Sequence, residues 1–201
     1  MNNIIGIFGK GGFAREIKFH ILKKFKNNIN IHFLSDVIDK NNNNIIDINK
    51  IDKKKYDILL ATGDPNLRNK LYDQFKELKF INYIHDNNLL LDPENINIGN
   101  GTIICAGSVL TTNIKLGLCN HINLNSTIGH DTQLGDFVTC SPGVNISGNC
   151  KIGNRVLIGT NSAIKENITI CDNVIIGMNS NVIKNINEPG IYVGNPLKKL
   201  N

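Results

Sequence analysis

From Ile98 to Val182 the chain counts in sixes. Positions 98, 104, 110, 116, 122, 128, 134, 140, 146, 152, 158, 164, 170, 176 and 182 are aliphatic in fourteen of fifteen cases, Cys140 being the exception. The next residue is Gly at 99, 117, 129, 135, 153, 159 and 177. The fifth place is small or β-branched from Thr102 to Ile186, except at Asn120. A fixed short period is the signature of a solenoid, and three hexads close one triangular coil of ~18 residues. The aliphatic residue and the small residue two places before it are expected to point inward. Gly after the aliphatic is expected to relax a turn that would strain a side chain. The unbroken frame predicts about five coils without an inserted loop, and argues against an antiparallel sandwich.

Before residue 85 the rhythm is different. Ile4 to Phe8, Ile31 to Leu34, Tyr56 to Ala61 and Phe80 to Ile84 read as strands. Phe13 to Lys26 and Asn66 to Lys79 carry apolar residues at helical spacing. This alternation predicts a small parallel sheet with helices against it, an α/β half-Rossmann unit. The first strand–helix turn, Gly9-Lys10-Gly11-Gly12-Phe13-Ala14, fits G-x-G-x-x-A. Read functionally, it cradles a phosphate at a helix N-terminus; read structurally, it is a tight turn. Lys10 is then placed to neutralise a phosphate, and Asp36, at the end of the second strand, to accept from a base or ribose. Thr62-Gly63-Asp64-Pro65-Asn66 falls at the same sheet edge. Arg68, one turn later, is either a second anion contact or a surface residue. A nicotinamide enzyme is disfavoured, because 85 residues supply too few strands for a full dinucleotide fold.

Composition excludes several classes. A formal charge of +5 comes from lysines scattered among asparagines, in runs too short and too poor in aromatics for a nucleic-acid surface. The charge fits steering of an anionic small substrate better. No stretch reaches the ~18 apolar residues of a membrane span, and the N-terminus does not read as a signal peptide. Five cysteines at irregular spacing fit a reducing, cytoplasmic setting. Asn41 to Asn44 reads as a solvated loop.

The hexads of form I-G-x-x-V/S-x, the N-terminal G-x-G-G-F and the closing Gly190-Ile-Tyr-Val-Gly-Asn-Pro-Leu-Lys-Lys together resemble the left-handed β-helix nucleotide-sugar acetyltransferases: UDP-4-amino-sugar N-acetyltransferases and the related sialic-acid O-acetyltransferases. The resemblance spans nearly the whole chain. It implies a nucleotide-sugar-binding unit over 1–85, a linker over 86–97, a left-handed parallel β-helix over 98–186 and a tail over 187–201. It also implies a homotrimer, with acetyl-CoA as co-substrate in clefts between subunits, and no metal. Amino-sugar enzymes of this group often carry His where this chain has Phe13, and the sialic-acid enzymes often have Phe. O-acetylation therefore stands beside N-acetylation, and an inactive scaffold of the same fold is a third possibility.

The candidate site centres on Gly129-His130-Asp131. His130 takes the third, outward place of its hexad, so its ring does not fill the core. The family places its general base in this segment. An imidazole, with a pKa near ~6.5, suits removal of a proton from an attacking amine or hydroxyl at neutral pH. Asp131 either fixes the imidazole tautomer or is a plain turn residue. The resemblance suggests the backbone N–H of Gly148 for the oxyanion, against its reading as a turn glycine. It puts Asn123 and Thr139 on the acceptor side, and Gly148, Thr160 and Gly177 along the coenzyme. Zinc chemistry is discounted, since only His121 and His130 lie in the repeats and three ligands are needed. Covalent cysteine catalysis is discounted too, since Cys140 and Cys150 take inward places.

Overall fold

The computed structural model describes residues 4–36 and 45–200; Asn41 to Asn44 lie outside them. The N-terminal sheet contains β1 (Ile4–Phe8), β2 (Ile31–Ser35), β3 (Ile45–Asp47), β4 (Tyr56–Leu60) and β5 (Lys79–Phe80). All are parallel, in the order β3-β2-β1-β4-β5. Helix α1 (Gly12–Lys24) follows β1, and α2 (Pro65–Gln74) follows β4. α2 starts where expected because Asp64 caps it, its Oδ1 accepting from Asn66 N–H at 2.9 Å, with Pro65 in the first turn. It stops at Gln74, short of the expected Lys79, because Phe75 turns out of helical geometry to join the core.

The stretch expected as one strand from Phe80 to Ile84 is two. β5 closes the α/β sheet, and after Ile81–Asn82 the chain enters β6 (Tyr83–Ile84), which pairs with Ile103–Ile104. β7 (Leu89–Leu90) pairs with Val109–Leu110, and β8 (Ile96–Ile98) with Ile114–Leu116. Residues 86–97, expected as a linker, are thus part of the first coil. This coil pairs with the next at an offset of 20 in β6 and β7, which hides it from the six-residue frame.

Beyond β8 the strands up to Val182 repeat at 18 residues, as the hexads require, while the closing pairings of Val174 with Gly190 and Ile170 with Ile186 step by 16. The coil presents three parallel faces. The first holds β6 and strands ending at Ile104, Ile122, Cys140, Ile158 and Ile176. The second holds β7 and strands ending at Leu110, Ile128, Ile146, Ile164 and Val182. The third holds β8 and strands ending at Leu116, Leu134, Ile152 and Ile170. The first-place residues from Ile104 to Val182 and the fifth-place residues from Thr102 to Ile186 are all buried. The tail adds Gly190–Val193 beside the last first-face strand, and Lys198–Lys199 antiparallel to it.

The role expected of the second-place glycines is corrected by the backbone. In the coil the left-handed conformation belongs to the fourth place, without interruption from Gly101 (φ +78°) to Asn179 (φ +53°). Seven of these fourteen positions are asparagine, which tolerates that region. The second-place glycines answer to stacking instead. A Cβ on Gly99 would lie 2.3 Å from the Gly117 carbonyl oxygen, and one on Gly129 would lie 2.6 Å from the Gly148 nitrogen.

The coil interior is one apolar cluster. The α/β sheet has two more, one on each side, and both reach the coil. Phe137 and Cys119 join the α2 side; Ile103 and Cys105 join the α1 side.

Candidate active site

His130 sits at the corner between the second and third faces, after the strand Thr127–Ile128. Its side chain is 63% exposed, as its outward place requires. Its Nδ1 lies 2.8 Å from Asp131 Oδ2. A carboxylate only accepts, so this contact places the proton of the neutral ring on Nδ1 and leaves the Nε2 lone pair free. Asp131 is also the left-handed residue of its corner, with φ +59°. Its other oxygen accepts from Asn113 Nδ2 at 2.6 Å, one coil below. The His130 hydrogen bond and the Asn113 amide hold the Asp131 carboxyl below the usual carboxylate range. Asp131 therefore combines the two readings left open by the sequence.

Gly148 stacks one coil above this pair. A Cβ there would meet His130 Nε2 at 2.5 Å, so only glycine lets the ring lie over this backbone. Among the described residues the Gly148 N–H donates to no partner.

The predicted binding residues fall into two groups. Gly9, Lys10, Gly11 and Gly12 form the turn from β1 into α1, and Asp36 is an exposed bend after β2. Gly9 has φ +128°, and a Cβ there would be 2.8 Å from the Ala61 carbonyl, so the turn needs glycine both for conformation and for space. Phe13, Gly63, Asn123 and Thr139 converge on a cleft of about 360 Å³ between the α/β unit and the coil; Glu16, His121 and Ser141 complete its polar lining. Four residues picked separately from two halves of the sequence thus meet in one place.

Three placements were not legible beforehand. Arg68 is neither a surface residue nor an anion contact: it is fully buried. Its Nε donates to Cys119 O at 3.0 Å, its Nη1 to Thr62 O at 2.9 Å, and its Nη2 to Phe137 O, Val138 O and Thr139 Oγ1 at 2.9, 3.1 and 2.8 Å. Burial lowers its pKa to about 10. It fastens α2 to two stacked corners of the coil. Thr139 belongs to the same clamp, since its hydroxyl donates to Gly63 O at 2.9 Å and accepts from Arg68. It holds the 62–64 loop to the cleft, and its only proton is committed there. His121, passed over in the sequence, is 2% exposed and lies between the two units, its Nε2 2.8 Å from Leu60 O.

The coenzyme candidates separate. Thr160 is half-buried at the corner between first and second faces. Gly177 is covered by the tail: its N–H donates to Tyr192 O at 2.8 Å, and a Cβ would meet Val193 Cγ1 at 2.7 Å. All five cysteines are unpaired, and burial pushes the thiols of Cys105, Cys119 and Cys140 up to about 12, far from a reactive thiolate. Among the described residues no helix is long and apolar enough to cross a membrane.

Comparison with known proteins agrees with this geometry. The family described as bacterial transferase hexapeptide (six repeats) matches residues 149–184. The GDP-perosamine N-acetyltransferase of Escherichia coli O157:H7 is 28% identical over 171 residues, covering 79% of this chain and 76% of that protein. WeeI from Acinetobacter baumannii AYE is 27% identical with a TM-score of 0.89, over 98% of this chain and 99% of that one. The acetyltransferase domain of PglB from Neisseria gonorrhoeae FA1090, in complex with acetyl coenzyme A, is 25% identical with a TM-score of 0.86, over 100% of both chains. In its repeat and its fold, the chain is similar to hexapeptide-repeat acetyltransferases of β-solenoid architecture.

Proposed function

We propose that this protein transfers acetyl from acetyl-CoA to the amine of a nucleotide-linked amino sugar, with His130 as general base. The observation that carries the reading is the exposed imidazole whose Nδ1 is held by Asp131 and whose Nε2 lies over Gly148. Nε2 accepts the proton of the amine as nitrogen attacks the thioester carbon. The Gly148 N–H, free of other partners among the described residues, donates to the oxyanion, a contribution of ~2.7–4 kcal/mol in comparable sites. Collapse breaks the carbon–sulfur bond, and the imidazolium returns the proton to the departing thiolate. Asp131 stabilises the imidazolium in between. Direct transfer needs no acyl-enzyme, in keeping with the buried thiols.

The nucleotide-linked acceptor is assigned to the glycine turn, Lys10, Asp36 and the cleft lined by Phe13, Gly63, Asn123 and Thr139. The name of the E. coli relative, GDP-perosamine N-acetyltransferase, supports an activated amino sugar. Acetyl-CoA is assigned to the Gly148 and Thr160 side. The cleft lies on the first face, whereas His130 lies on the corner between the second and third. One chain therefore holds the two halves of the site apart. A homotrimer, in which the His130 corner of one left-handed coil meets the cleft of its neighbour, completes it. The free cysteines support a reducing, cytoplasmic setting.

The same machinery with a hydroxyl acceptor is the alternative, and Phe13 in the cleft favours it. Thiol release with GDP-, UDP- and dTDP-linked amino sugars tests the reading, with turnover of at least one expected. Turnover only with free or CMP-linked sialic acid assigns O-acetylation; no turnover with any acceptor removes the enzymatic reading. Asp131→Asn keeps the left-handed corner while removing the carboxylate. It is expected to lower kcat roughly tenfold, the value of about one charge-assisted hydrogen bond.

A further inference from the structure

The cleft contains an acceptor that the proposed chemistry does not use. The Leu60 carbonyl can only accept, so its 2.8 Å contact with His121 puts a proton on Nε2. The ring is buried, and the Arg68 guanidinium is near; both effects hold its pKa well below 6.5 and keep it neutral. Nδ1 is then a lone pair. Among the described residues it has no hydrogen-bond partner, although the rest of the side chain is locked by Leu60 and packed at 5.1 Å against the Phe13 ring. The nitrogen is not sealed off, because the ring lines the cleft, and a donor from outside the chain can reach it there.

Its neighbours indicate what that donor is. His121 shares the cleft with Glu16, Asn123 and Ser141. Asn123 spends its Oδ1 on the Leu124 N–H at 2.8 Å, which leaves its amide protons for the cleft. The lining thus offers acceptors and donors side by side around a space of about 360 Å³, opposite the aromatic face of Phe13. A polyhydroxylated ring matches that pattern.

The geometry points to His121 as a specificity-determining residue, its Nδ1 accepting a hydrogen bond from a hydroxyl of the acceptor sugar. This rests on the proposed function, since it requires the acceptor to occupy the cleft. The selection is for a sugar with a hydroxyl at that point: an analogue lacking it covers the nitrogen without pairing it, and sites built to read a hydroxyl discriminate strongly for that reason. The ring also connects the reading to the fold, because the contact that fixes its tautomer joins the coil to the end of β4.

The test uses the full-length protein and whichever GDP-, UDP- or dTDP-linked amino sugar it turns over best. His121→Leu is expected to raise the acceptor KM about tenfold or more, with kcat and the KM for acetyl-CoA within about twofold. A purely structural histidine would lower Tm without this split. An unchanged acceptor KM in the folded variant overturns the inference and leaves acetyl transfer standing; no turnover by the wild type removes both. If the variant does not fold, the imidazole ¹⁵N spectrum of the wild type decides. The Nδ1 resonance of His121 should move on saturation with the nucleotide sugar, and a resonance that stays in place overturns the assignment.

Discussion

The coil and the α/β unit are held together by different kinds of information. In the coil each residue meets its equivalent 18 positions away, so one rule written fifteen times specifies the whole shape. In the α/β unit no contact repeats, and its attachment to the coil depends on single side chains such as Arg68 and His121. The difference teaches where function resides. Where the repeat is obeyed, residues fill the core. Where a side chain leaves that pattern, at His121 and His130, the chain meets either the second unit or the candidate site.

The largest effect tests whether an outward residue does chemistry while its fold-making neighbours do not. His130→Ala is expected to reduce kcat by on the order of 10²–10⁴, with Tm unchanged, because the ring is exposed and fills no core. Steady-state thiol release and a thermal melt suffice. A variant that acetylates at the wild-type rate would return His130 to the status of a solvated turn.

Next comes the joint between the regions. The Cys119 and Phe137 carbonyls belong to fourth-place corner residues, and among the described residues no backbone N–H donates to them. Under α2 they are sealed from water, and the Arg68 guanidinium replaces it. Arg68→Met removes a buried charge but strands several acceptors, for a net loss of about 3 kcal/mol. Urea unfolding followed by far-ultraviolet circular dichroism should show the α/β unit melting ahead of the coil. A single transition at the wild-type midpoint would mean that the clamp contributes nothing.

These two cases also measure what the sequence discloses. His130 was legible because an outward hexad place is a local property. The convergence of Phe13 and Gly63 with Asn123 and Thr139 was half legible: the loops after two strands pointed to the first pair and the family resemblance to the second, but nothing in the period says which coil face the α/β unit covers. Arg68 was illegible, since a cation after a helix cap reads as surface until the partner carbonyls, 51 and 69 positions away, are known. One local signal was present and unread. The asparagine excess looks like compositional bias, yet half of the fourteen left-handed corners are built from it.

Asn120 sharpens the comparison from inside the coil. It departs from the fifth-place rule, and its amide donates to Gly117 O and Gly135 O at 3.0 and 3.1 Å while its Oδ1 accepts from Val138 N–H at 2.6 Å. Asn120→Val makes the sequence more regular. It is nevertheless expected to destabilise by about 2 kcal/mol, because it leaves buried groups unpaired. Equilibrium denaturation reads this directly, and a stabilised variant would show that regularity outweighs the hydrogen bonds.

The smallest effect is a slope against pH. The pKa of His121 is held below its unfolded value by burial and by Arg68, so the folded chain excludes a proton that the unfolded chain binds. Its contribution to stability is complete above the unfolded value of about 6.5 and is lost progressively as pH falls below it, by at most about 1.36 kcal/mol per unit. The depressed carboxylates of Asp47, Asp86 and Asp131 act lower, below about pH 4, so they do not mask it. His85 is also lowered by burial and adds a slope of the same sign in both proteins. Between about pH 6.5 and 5, the wild type should therefore lose stability more steeply than His121→Leu, whatever their difference at pH 8. Parallel curves would mean that the imidazole between coil and sheet takes up its proton without resistance, and that the joint is wetter than its burial implies.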